Sequence, residues 1–96
     1  MQQPQTNEDK NKELFSKALA SVIKKHRKKL GKSVYALSAE SSVGKNTWLM
    51  IEKAVSKDPS IITIWKIAEG LDIHPDELLR EVREKLGDDF SLSDLK

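Results

Sequence analysis

Apolar residues recur at helical spacing along this chain and fall into five blocks. Phe15, Leu19, Val22, Ile23 and His26 repeat every three or four positions and predict a first helix running to about Leu30. Thr6, with Asp9 three residues on, predicts its start, and Gly31 its stop. Two short helices follow. One runs from Ser33, its cap, to Glu40 or Ser41; the other runs from about Lys45 to Lys53, with Gly44 as cap. Tyr35, Leu37, Val43, Trp48 and Ile51 are expected to give each of them one buried face. After a 54–60 loop broken by Pro59, a fourth helix spans 61–70, capped by Ser60 or Asp58. Ile61, Ile64, Trp65, Ile67, Ala68 and Leu71 are its expected core residues. Pro75 opens a fifth helix, Asp76 and Glu77 suit its positive end, and Leu78, Leu79, Val82 and Leu86 form its apolar stripe before Gly87.

The pattern contains no convincing strand and no internal repeat, so the expected fold is all-α with five helices. Residues 1–8 read as a disordered arm, 9–87 as the folded domain and 88–96 as an acidic tail carrying isolated Phe90, Leu92 and Leu95. With 96 residues, 38% of them hydrophobic, the chain can build one small core but no large cavity for a substrate. The absence of cysteine excludes disulfides and thiolate metal sites. No apolar run approaches the roughly 18 residues needed to cross a bilayer. The polar start, MQQPQTNEDKNKE, lacks the apolar core of a signal peptide, so a cytoplasmic protein is expected. His26 on an apolar face and His74 before Pro75 make no metal site, and Asp88 and Asp89 read as solvated tail. No glycine-rich phosphate loop or nucleophile constellation is present. No enzyme, metal or cofactor is expected.

The net charge of +2 hides a strong asymmetry. Residues 17 to 53 carry nine basic side chains against Glu40 and Glu52, a net of +7, whereas residues 54 to 96 carry −4. The basic half contains the paired short helices. Such a distribution presents one face to a polyanion, as nucleic-acid binders require.

The stretch SVYALSAESSVGKNTWLMIE, residues 33 to 52, therefore reads as a helix-turn-helix, in which a second helix lies in the DNA major groove. From about residue 19 to 79 the chain resembles the lambda-repressor-like, Cro/Xre-type helix-turn-helix family. Arg27, Ser33, Leu37, Val43, Thr47, Trp48, Ile51 and Glu52 stand at family spacing, as do Pro59-Ser60, Ile64 to Ala68, Leu71 and Asp76 to Leu79. It departs from the family at Ser38, Ser42, Gly44, Trp48, Val34 and Ala54. The last two replace, respectively, a polar residue that helps hold a phosphate and a glycine two positions after the glutamate.

Trp48 and Ile51 must face inward to hold the second short helix, which turns Lys45, Asn46, Thr47, Leu49 and Met50 outward. Asn46 suits bidentate pairing with adenine, Lys45 suits guanine or phosphate, and Met50 or Leu49 suits a thymine methyl. The resemblance implies base contact for Lys45, Asn46 and Met50, and phosphate contact for Thr47. Ser33, Arg27, Lys28, Lys32 and Lys57 are the expected backbone contacts, beside Lys24, Lys25 and Lys29 at the same basic helix end; favourable interaction with the helix dipole is the plain alternative for the lysines there. For Leu49 and Met50, packing on the 54–58 loop or a protein-binding patch also stays open. The resemblance further implies an Arg27–Glu52 ion pair joining the first helix to the third.

These readings predict a sequence-specific regulator of transcription that binds double-stranded DNA as a homodimer, a repressor on a palindromic operator. Leu79, Val82, Leu86 and Phe90 are the expected dimer surface, with intramolecular core as the alternative. Two rival readings remain: an antitoxin whose tail or arm binds a toxin, and a protein-interaction module that has lost DNA binding.

Overall fold

The computed structural model describes residues 7–56 and 58–93. Five helices follow in order: α1 (Asn7–Leu30), α2 (Val34–Glu40), α3 (Lys45–Glu52), α4 (Ile61–Gly70) and α5 (Pro75–Leu86). No strand occurs among the described residues. Asn7 and Glu8, expected in the arm, begin α1 instead, where acids at the first turn complement the helix dipole. Thr6, the rest of the arm and residues 94–96 lie outside the described residues.

Local chemistry explains the helix ends. Ser33 Oγ accepts from the Ala36 N–H at 3.1 Å and Ser60 Oγ from the Thr63 N–H at 3.0 Å, each satisfying an orphan donor. Gly44 caps α3 without a side-chain bond. Three helices end in the same doubly bonded turn. After α1, Gly31 N–H donates to Lys28 and Lys32 N–H to Arg27. After α3, Ala54 donates to Ile51 and Val55 to Met50, and after α4, Asp72 donates to Glu69 and Ile73 to Ala68. The turn needs a left-handed residue, supplied by Gly31, Ala54 and Asp72 at φ of 69, 58 and 59°.

The core joins Leu19, Val22 and Ile23 of α1, Leu37 of α2, Trp48 and Ile51 of α3, Ile64, Ile67, Ala68 and Leu71 around α4, and Leu78 and Val82 of α5. Burying each of the large aliphatic side chains stabilises by about 1.5–3 kcal/mol. α1 packs on α3 and α5, α2 on α3, and α4 on α5. Glu81 strengthens the α1–α5 contact: His26 Nε2 lies 2.7 Å from Glu81 Oε2 and Lys25 pairs with the other oxygen. The Lys25 ammonium first, then His26, holds the Glu81 carboxyl below its ordinary value against the opposing effect of burial.

The core differs from expectation at three positions. Tyr35, Ile61 and Trp65 are 66, 58 and 53% exposed. In α2 the buried pair is Val34 and Leu37, an i, i+3 spacing that turns Tyr35 outward. In α4 the buried set is Ile64, Ile67, Ala68 and then Leu71, one stripe at i, i+3, i+4 and i+7. Trp65 falls beside that stripe with exposed Ile62, whereas Ile61, three positions before Ile64, is exposed at the first residue of α4.

Gly70 lies where α4 meets the Trp48 indole. It is the helix's last residue, and a Cβ there would stand 3.3 Å from both Ser41 Cβ and Trp48 Cζ2. The missing side chain lets α4 approach the indole closely.

Candidate nucleic-acid interface

The interface is organised by what holds α3 in place. Trp48 is fully buried and its indole N–H donates to Ser41 Oγ at 3.2 Å. The same oxygen accepts from the Val43 N–H at 3.3 Å, so one hydroxyl ties the turn to the helix after it. Arg27 grips Glu52 at the other end of α3. Nε donates to Oε2 at 2.7 Å, Nη2 donates to Oε1 at 2.9 Å, and Nη1 donates to the Lys32 carbonyl at 3.0 Å. Glu52 is 5% exposed, so this bidentate pair is shielded from water. The hydrogen bonding of Glu52 raises the Arg27 pKa above its already high ordinary value, against the opposing effect of burial. α1, the α1–α2 connection and α3 are thereby joined through one guanidinium.

With Trp48, Ile51 and Glu52 buried, the opposite side of α3 presents Asn46, Met50 and then Lys53 at i, i+4 and i+7. Thr47 is also exposed. Lys45 is half-buried: its Nζ lies 4.6 Å from the centre of the Tyr35 ring and donates to the Tyr35 hydroxyl at 3.3 Å. Leu49 is not outward. It is half-buried and packs against the core, which favours packing over groove contact for this residue. Met50, 47% exposed, keeps a thioether in reach of a partner.

Lys28 and Ser33 are exposed at the junction of α1 and α2. The Ser33 oxygen is engaged as a cap, which leaves its hydroxyl hydrogen free to donate. Lys32 is half-buried and pairs with Glu40 at 2.6 Å. Val34, where the family carries a polar residue, is 8% exposed and belongs to the core. Lys57 lies outside the described residues.

The expected dimer surface is largely occupied within the chain. Val82 is 1% exposed and belongs to the core, so it cannot meet a partner. Leu79 and Leu86 pack against the same core. Phe90 is half-buried and lines a groove with Phe15, Leu79, Leu86 and Leu92, so this part of the tail folds back on the domain.

Tyr35 and Lys53 are exposed on this candidate face, and sequence reasoning did not name them for it. Each had a signal: Val34 and Leu37 at i, i+3 assign Tyr35 to the outside, and Lys53 follows Asn46 by two helical turns.

A family model described as helix-turn-helix matches residues 23–78, more than half of the 96 residues. The chain belongs to the helix-turn-helix family of the Cro/Xre kind, a family of DNA-binding domains rather than of enzymes. No curated protein and no solved structure matches it. No described helix is long and apolar enough to cross a membrane.

Proposed function

We propose that this protein is a sequence-specific, double-stranded DNA-binding repressor that acts as a homodimer on a palindromic operator. The observation that carries the reading is the two-sidedness of α3. Burial of Trp48, Ile51 and Glu52 fixes the helix, and the outward side is left to Asn46, Met50 and Lys53, with Lys45 at its N-terminal end. A recognition helix reads base edges from its N-terminal residues, where Lys45 and Asn46 stand. Lys28, Ser33 and Thr47 serve as phosphate contacts that set register, and Arg27 acts chiefly by orienting Glu52 and α3. One module buries little DNA surface, so specificity calls for two copies on half-sites about one turn apart.

The test is selection from a pool of random duplexes, followed by a salt titration on the recovered sequence and sedimentation of the complex. A short two-fold-symmetric site, bound by two copies with steep salt dependence, is the expected result. Recovery of no motif overturns the reading in favour of a protein-interaction module. A one-copy complex on an asymmetric site overturns the dimer alone.

A further inference from the structure

The basic half also carries a groove beside the outward side of α3. It measures about 530 Å³ and runs between α1 and the C-terminal end of α3, lined by Lys17, Ser21, Lys24 and Lys28 on one side and Lys53 on the other. The four α1 positions follow at i, i+4, i+7 and i+11, one face of the helix. From Lys17 to Lys28 this row is about 16 Å long. That length corresponds to about five base-pair steps of duplex.

The charges in this row are unanswered. Among the described residues, no carboxylate pairs with Lys17, Lys24, Lys28 or Lys53, whereas Lys12, Lys25 and Lys32 each have an acidic partner. Glu52 also lines the groove, but both its oxygens are held by Arg27. The helix dipole accounts for Lys28 in the last turn of α1 but not for Lys17 and Lys24, because the effect fades within one turn. The groove is continuous with the outward side of α3, since Lys53 belongs to both.

We propose that this groove is a second phosphate-contact site, taking the DNA backbone that flanks the bases read by α3. The proposal rests on the DNA-binding reading above and extends it: Lys17, Lys24, Lys28 and Lys53 lengthen the footprint by about half a turn without adding sequence preference. Four such contacts give flanking duplex a measurable share of the affinity.

The experiment compares the wild-type protein with Lys17→Gln/Lys24→Gln/Lys53→Gln and with the corresponding triple arginine variant. Binding to a long random-sequence duplex is followed by fluorescence anisotropy across a salt series, with melting curves recorded in parallel and each single glutamine variant beside the triple. The expected result is a slope of log affinity against log salt that is shallower by about 2–3 in the glutamine triple, and restored by arginine, at about 0.9 per phosphate contact. An unchanged slope overturns the groove. On the selected site, wild-type protein gains affinity when flanks are added to a trimmed duplex and the glutamine triple does not; equal gains also overturn it. If no motif is recovered but the slope difference persists, the sequence-specific reading fails and the phosphate site stands.

Discussion

Both carboxylate oxygens of Glu52 are held by Arg27, at 2.7 and 2.9 Å, in a place where Glu52 is 5% exposed. A buried carboxylate would be costly without that partner, and the guanidinium fork matches it in two parallel bonds. The pair spans α1 and α3, so the angle of the outward face depends on a contact made behind it. Glu52→Ala is expected to lower stability by about 3–5 kcal/mol, because Arg27 is left half-shielded and unpaired. Replacing both residues by leucine or methionine should recover much of that loss while still weakening DNA binding. Urea melts of the wild type and the two variants decide the matter: equal midpoints for wild type and Glu52→Ala would remove the pair from the list of stabilising contacts.

Ala54 holds φ of +58° at the end of α3, where an L-residue with a side chain is strained. Its N–H to Ile51 and the Val55 N–H to Met50 lock that conformation. Relief of the left-handed penalty by glycine exceeds the added freedom of the unfolded chain. Ala54→Gly should therefore stabilise by roughly 0.5–1 kcal/mol, seen as a rise in melting temperature. A fall would show that the turn carries no strain.

Gly70 and Trp48 set an opposite case. Alanine at Gly70 gains about 1 kcal/mol of helix propensity. Its Cβ then stands 3.3 Å from an indole that is fully buried and tied to Ser41. Overpacking of a fixed neighbour costs about 1–3 kcal/mol and wins. Gly70→Ala should lower stability and change the tryptophan emission, while an increase in stability would show that the indole shifts freely.

Glu81 makes folding stability depend on pH at the acid end. Its folded-state pKa lies below the ordinary value, so its contribution is present above about pH 4.5 and is lost as pH falls through the lowered folded-state value. Between neutral pH and about pH 3 the wild type should lose stability more steeply than Glu81→Gln. Parallel slopes in denaturant melts at several pH values would remove Glu81 from that dependence.

Tyr35 acts on Lys45 through its hydroxyl and its ring face. Tyr35 is exposed and its bond to Lys45 lies at the surface, so Tyr35→Phe should change stability by less than about 0.5 kcal/mol. Its effect should appear in DNA affinity, a loss of a few-fold that vanishes in a Lys45→Ala background. A loss of the same size in both backgrounds would place the Tyr35 hydroxyl on the DNA by itself.

The sequence by itself determined the five helices, the cap at Ser33, the opening of α5 at Pro75, the family, and the basic half that carries α3, because periodicity, capping chemistry and charge are local properties. It also pointed to the ion pair of Arg27 and Glu52, through resemblance. What only the tertiary structure decided was which side of each short helix is covered. Tyr35, Ile61 and Trp65 are apolar enough to be buried, yet burial goes to residues that face a neighbouring helix, and one layer of packing covers only a stripe. Val82, open in the sequence between dimer surface and core, is enclosed in the core at 1% exposure. The lysine groove likewise exists only once α3 is set beside α1, since Lys17 and Lys53 are thirty-six positions apart in sequence and meet through the packing of Trp48, Ile51 and Glu52.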